Sequence, residues 1–466
     1  MLAVAAVPVL FCIASLAYSR PGYFTSQTYM FGVMGLELLA LAVWRFRQVF
    51  FALLMYAFLA AGTGLPGTSV GTKGRWVFLG IGAVVGTLIA LKERRLRPGL
   101  FDFVALSCVL AALASATVSR YPNLAMLKAL SLLLLFLYTA SGARVAVEGR
   151  EDRFLYGLVT GCEILVVGTA AFYATGREVM GNPNSLGAIM GVVATPLLFW
   201  GMLVAKDRFT RSRRVAIFFL CLYLVYYSHA RAGMLAAAVS CAFLCLGLRQ
   251  YKMLIKGSGI ALFMVAAASI LQPQKVSNSF SEFTSDVVYK GFQERGVLAS
   301  RQSPWNEAMD VIDTHFWFGT GFGTKDTPFD STMSTDGAPS DFARAEYGNS
   351  YLAVVAWLGI VGMVPFLLLL LLLIAPLVLT FRWMRSTGNA HHPAVPLALV
   401  VIAGLVHAGL EDWLFAAGYY LCVFFWSMAF VLVDIAPSAS RLPASSFYSR
   451  LNPLLRERAL LAPEQS

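Results

Sequence analysis

Charge is what this sequence has least of. Only 13% of its 466 residues are Asp, Glu, Lys or Arg, against about 25% in an ordinary soluble domain. That excludes a water-exposed globule of this length. No C-x-x-C pair and no Cys/His ligand spacing occurs, and the seven cysteines (Cys12, Cys108, Cys162, Cys221, Cys241, Cys245 and Cys422) all lie in apolar stretches. Disulfides and zinc are therefore set aside, and no metal site or cofactor is expected. There is no Walker motif, so any work done draws on a substrate or an ion gradient. Period-two alternation, the mark of a membrane β-barrel, is nowhere sustained.

What fills the chain instead is apolar: 58% of the residues, with a mean hydropathy of +0.69. A spanning helix needs roughly 20 such residues. Runs bounded by charges or by Gly and Pro fall at about 1–19, 27–44, 48–66, 76–91, 100–118, 123–141, 154–175, 183–204, 214–229, 232–248, 253–271, 349–381, 394–411 and 413–435. The first lacks a basic n-region and an A-x-A exit, so it reads as a retained span. Segment 349–381 is too long for one simple span, and Gly359, Gly362 and Pro365 are places to break it. The expected fold is all-α, a polytopic transmembrane helical bundle of 12–14 spans with one large extracytoplasmic loop. Its parts are N-terminal spans over 1–271, the loop over 272–348, C-terminal spans over 349–435 and a tail over 436–466.

The basic excess of +11 then reads as membrane sidedness rather than a nucleic-acid surface. With the N-terminus inside, 23 basic residues fall in inside loops and the tail, 12 fall outside, and Lys128 lies within a span. Both termini are thus expected in the cytoplasm. The 272–348 loop, placed outside, carries eleven acidic residues against six basic ones. A 77-residue insertion of this kind in a compact membrane protein is usually functional. Pro304 through Phe316 reads as a short amphipathic helix, closed by Gly319-x-Gly321-x-Gly323. No strand precedes those glycines and no G-K-[ST] follows them, so they read as a structural turn rather than a phosphate loop.

Several polar groups need a reason. Arg231, in Ser228-His229-Ala230-Arg231-Ala232-Gly233, is either an interfacial arginine reaching headgroups or a fixed cation for a phosphate. Arg301 is either solvated charge or a second such cation in the same outer cavity. Glu346, where the loop re-enters the membrane, is a candidate general base or simply a charge favoured at a helix start. Asn182-Pro183-Asn184-Ser185 reads mainly as a helix cap with proline in the first turn. His407, Glu411 and Asp412 cluster at an outer helix end and are the reserve candidates for a base. Glu37 and Glu163 lie within spans, where a partner or a cavity is expected.

In this order, Gly181-Asn182-Pro183-Asn184 with Pro196, Ser228-x-x-Arg231-x-Gly233, Arg301 with Trp305 and Ala308, Gly319-x-Gly321-x-Gly323, and Asn349-Ser350-Tyr351-Leu352 with Gly359 and Gly362 resemble the O-antigen ligase/polymerase superfamily. Ser119 with Tyr121-Pro122 fits a further feature upstream, and the resemblance covers about 105–435. It implies a metal-independent, inverting glycosyltransferase that polymerises or ligates undecaprenyl-diphosphate-linked saccharides at the outer face of the bacterial inner membrane. Its implied partners are that donor, a glycan or lipid acceptor, membrane lipids and polysaccharide export machinery. Arg231 and Arg301 would bind the diphosphate, with Asn184, Trp305 and Asn349 also contacting substrate. Ligases of the family carry a histidine immediately before the asparagine, where this sequence has Gly348; Glu346 is the expected replacement base. Two other classes compete. One is a transporter or flippase, with Glu37 or Glu163 coupling protons. It is weakened by the lack of an internal repeat. The other is a scaffold with a degenerate site, which Gly348 favours.

Overall fold

The computed structural model describes residues 26–93, 98–253, 299–325 and 347–438, together with Tyr18, Ser19, Gly22 and Ile255. Most of segment 1–19, most of 253–271, the greater part of the large loop (Glu346 included) and most of the tail lie outside the described residues. The described chain is helical and contains no strand. Its helices are α1 (Gln27–Arg45), α2 (Arg47–Ala61), α3 (Thr68–Lys92), α4 (Leu100–Ala116), α5 (Pro122–Tyr138), α6 (Arg144–Val147) and α7 (Glu151–Ala174). There follow α8 (Pro183–Ala188), α9 (Thr195–Leu203), α10 (Arg208–Tyr227), α11 (Arg231–Gly247), α12 (Ala299–Thr314), α13 (Ser350–Thr387), α14 (Ala394–Ala408) and α15 (Tyr420–Ile435). Single π-turns at Thr139–Ala143 and Ile189–Ala194 join α5 to α6 and α8 to α9.

The architecture is that of an all-α membrane protein. Among the described residues, five helical stretches are long and apolar enough to cross a membrane, and five shorter apolar helices accompany them. Large apolar side chains such as Phe31, Leu38, Phe103, Leu110, Leu127 and Ile164 are exposed along the outside. A water-soluble surface avoids so much contiguous apolar area, whereas lipid favours it. The core centres on α14 and α15, where every residue from Tyr420 to Leu432 is buried. Phe425, Trp426 and Phe430 stack there against Trp413, Phe415, Phe136 and Phe101.

Contacts between helix ends fall into two groups. At one end Gly64 donates to the Val179 carbonyl at 2.7 Å, Arg75 to the Gly418 carbonyl at 3.0 Å, and Ser119 bonds Thr324 at 2.9 Å. At the other, Arg47 pairs with Glu93 (2.8 Å), Arg144 with Asp102 (2.7 Å) and Asp434 (2.8 Å), and Trp200 donates to the Ala390 carbonyl at 2.7 Å. Each pair joins ends that the alternating span order places on the same side.

One span reading changes and another holds. The run expected as one helix over 413–435 starts at Tyr420 instead, because residues 409–419 fold back as a non-helical turn. Trp413, Leu414 and Phe415 are buried in that turn. Its polar backbone is answered locally, with the Trp426 indole donating to the Leu414 carbonyl at 2.7 Å. The overlong run is α13, and it breaks where expected, at Gly359, whose φ is +64°.

Candidate functional site

The break in α13 builds the floor of the site. A helix interrupted at membrane depth exposes carbonyls and amides that need partners. The glycine turn after α12 supplies them: Thr320 and Gly321 donate to the carbonyls of Ala356 (3.1 Å) and Trp357 (2.9 Å), while Ile360 donates to the Phe316 carbonyl at 2.8 Å. The contact is backbone on backbone. A Cβ on Gly319 would lie 2.3 Å from the Trp357 carbonyl carbon, and one on Gly359 would lie 2.3 Å from that of Trp317. Gly319-x-Gly321-x-Gly323 is therefore a structural turn, as read from the sequence, and it seats α12 against the break.

α12 extends from Ala299, earlier than the expected start at Pro304, and so carries Arg301 in its first turn. The Arg301 guanidinium reaches the Glu411 carboxylate directly, with side chains 18% and 22% exposed. It also lies over Gly348: φ there is +63°, and a Cβ would sit 2.6 Å from the Arg301 Nη1. A side chain at position 348 would thus run into the arginine. Trp305 packs alongside, its indole donating to the Gly348 carbonyl at 3.4 Å.

Around these groups the chain is tightly held. Asn349 caps α13, its amide oxygen accepting from Tyr351 (2.9 Å) and Leu352 (3.2 Å). The Ser350 hydroxyl donates to the Glu411 carbonyl at 2.7 Å and accepts from the amides of Trp413 and Leu414. Asp412 accepts from the Tyr347 amide at 2.9 Å. Lys128, on α5, donates to the Gly323 carbonyl and feels the charge of Asp412. His407 is buried, and its Nδ1 accepts from the Trp413 indole at 2.8 Å. The Tyr347 hydroxyl is fully buried yet has no hydrogen-bond partner among the described residues. Burial, and then the nearby Glu307 and Asp412 charges, push its pKa up.

Arg231 begins α11, positioned by close helix packing behind it. Cβ atoms on Gly191 and Gly233 would lie 2.2 Å and 2.3 Å from the carbonyl oxygens of Gly233 and Gly187. This explains the glycine two residues after the arginine. Arg231 and Arg301, from helices distant in sequence, come close enough for their charges to repel. Asn182 caps α8 by accepting from Ser185 at 2.7 Å, with Pro183 in the first turn, and Asn184 is exposed beside it.

The expected site residues therefore divide. Arg231 and Arg301 come together, with Trp305 and Asn349 next to Arg301. Asn184 sits at the α8 start, and Glu346 lies outside the described residues. Lys128, Tyr347 and Ser350 were not expected as site residues. Of these, Lys128 was signalled by a charge standing inside an apolar run. No cluster of three or more His, Cys, Asp or Glu suited to a metal occurs among the described residues.

Residues 216–367 match the family model described as O-antigen ligase. The matched stretch runs from α10 into α13 and contains Arg231, Arg301, the glycine turn and Asn349. It bears out the resemblance drawn from the motifs and supports, in general terms, a ligase- or polymerase-type glycosyltransferase that works on a lipid-linked glycan and an acceptor. No curated protein matches the chain.

Proposed function

We propose that the protein transfers a saccharide from undecaprenyl diphosphate to an acceptor hydroxyl, at the outer face of the bacterial inner membrane and without a metal. The observation that carries this reading is the meeting of Arg231 and Arg301 inside the matched stretch. Two guanidiniums within electrostatic reach of each other suit a diphosphate, because each fork can take one phosphate in two parallel hydrogen bonds. The sidedness follows from the basic residues, which gather at the opposite end of the bundle.

The chemistry needs little more. As the bond between the anomeric carbon and the diphosphate oxygen breaks, negative charge grows on that oxygen, where the fixed guanidiniums stabilise it. The acceptor oxygen attacks from the far side, so the anomeric centre inverts. Its proton passes to a base at the loop's re-entry, a role we assign to Glu346. Trp305, Asn349 and Asn184 contribute to substrate binding around the arginines. The orphan Tyr347 hydroxyl is a donor that a substrate oxygen can satisfy.

Against transport, Glu163, one of its two candidate proton carriers beside Glu37, is held in ion pairs with Arg213 and Arg214. Purified protein in lipid nanodiscs, incubated with an undecaprenyl-diphosphate oligosaccharide and chelator, tests the proposal. Chain growth or transfer with inversion is expected. Movement of the lipid across a sealed bilayer without bond formation would replace it with a flippase.

A further inference from the structure

The Arg301–Glu411 contact carries one step more, which rests on the reading of Arg301 as a diphosphate ligand. We infer that Glu411 is a placeholder: its carboxylate occupies Arg301 while the site is empty, gives way to the donor's diphosphate, and returns to expel the product diphosphate.

Carboxylate and phosphate bind a guanidinium in the same planar, two-pronged way, so one replaces the other without moving the arginine. The surroundings favour such an exchange. The backbone of Glu411 is fixed, since its carbonyl accepts from the Ser350 amide (3.2 Å) and hydroxyl (2.7 Å). Release takes place by rotation of the Glu411 side chain, which is 22% exposed. Arg301 stays in place, because its guanidinium rests on the bare backbone of Gly348 with Trp305 alongside.

The neighbouring carboxylates have other duties. Asp412 holds the Tyr347 amide at 2.9 Å, and Glu307 holds Lys325 at 2.8 Å. Charge supplies the reason for a placeholder at all: Arg231 and Arg301 repel, and a carboxylate on one of them offsets that repulsion until an anion arrives. The same competition opposes the lipid diphosphate left after transfer, so Glu411 raises product release at the expense of affinity.

Binding of farnesyl diphosphate to the full-length protein in detergent tests this. A ligand whose site is closed part of the time binds more weakly by the open fraction, so Glu411→Gln should tighten binding about fivefold or more, with Glu411→Asp between it and the wild type. In the assay with lipid-linked oligosaccharide, Glu411→Gln should lower KM for the donor and strengthen inhibition by undecaprenyl diphosphate. A residue that merely supported the fold would weaken binding on substitution, so unchanged or weaker binding overturns the placeholder. The wild type gives an independent reading if the variants fail to fold. Carbodiimide labelling of Glu411, mapped by mass spectrometry, should rise when farnesyl diphosphate is added, and an unchanged or lower yield overturns the inference. Arg301→Ala separates the two levels of the argument. If it binds farnesyl diphosphate as the wild type does, the diphosphate reading itself falls; if it loses binding while Glu411→Gln leaves binding unchanged, only the placeholder falls.

Discussion

Among the described residues, the carboxylate–arginine pairs of Glu163 and of Glu411 are built differently. Glu163 is 7% exposed and takes both Arg214 (3.0 Å) and Arg213 (2.9 Å), while Arg214 also donates to the Gly201 carbonyl at 2.8 Å. Glu411 pairs with Arg301 and is about three times more exposed at its side chain. The first pair is closed on itself, with Arg214 divided between the Glu163 carboxylate and the Gly201 carbonyl. The second is more open, and on the function proposed above an anionic substrate competes with Glu411 for its arginine. An intramembrane charge is a functional hypothesis by default, and the way its partners hold it decides how far that hypothesis goes.

The largest effect expected from breaking this comparison is at the outer pair of arginines. The Arg231→Ala/Arg301→Ala double variant should lose transfer altogether, and either single variant should fall by about 100-fold or more while remaining folded. Lysine at either position should restore only part of the rate, since a point charge lacks the fork. Turnover per folded molecule, measured beside gel filtration of each variant, checks this.

Glu163→Gln should do the reverse. Leaving Arg214 buried without its carboxylate should cost about 3–5 kcal/mol of stability, with transfer per folded molecule unchanged. Thermal unfolding in detergent reads the loss, and a fall in turnover without a fall in stability would return Glu163 to the list of functional groups.

Glu346→Gln sharpens the comparison at the acceptor side. Turnover should drop by about 100-fold, the lower range for loss of a general base, with donor affinity nearly intact. A change of only a few fold would mean that Glu346 serves the start of α13 instead. The smallest effect is expected from Gly348→Ala. Its positive φ costs about 1–2 kcal/mol for a residue with a Cβ, and the added carbon meets Arg301. Donor KM should therefore rise more than kcat falls, a split that steady-state kinetics resolves.

The fold was legible because lipid imposes it. Apolar runs and the placement of basic residues are direct consequences of a solvent that satisfies no backbone group, and they found the spans and the break at Gly359. A turn between the runs ending at 411 and starting at 413 was legible, but its extension through Tyr419 was hidden, because Trp413, Leu414 and Phe415 are as apolar as the helix that follows and tertiary bonds from Ser350, His407 and Trp426 hold them out of it. In the site, Arg231 and Arg301 stood out as residue types with a known affinity for phosphate. The pairing of Arg301 with Glu411 joins positions 110 residues apart, which no local pattern encodes. The role of Gly348 was equally out of view, since its meaning depends on which side chain lies above it.

The central claim is that Arg231 and Arg301 together hold the diphosphate of a lipid-linked glycan for transfer. The most direct test is single-turnover transfer from an undecaprenyl-diphosphate oligosaccharide in nanodiscs, comparing wild type with folded Arg231→Ala and Arg301→Ala proteins in the presence of chelator. The account predicts an inverted glycosidic product from the wild type and almost none from either variant. Full transfer by both variants would contradict it.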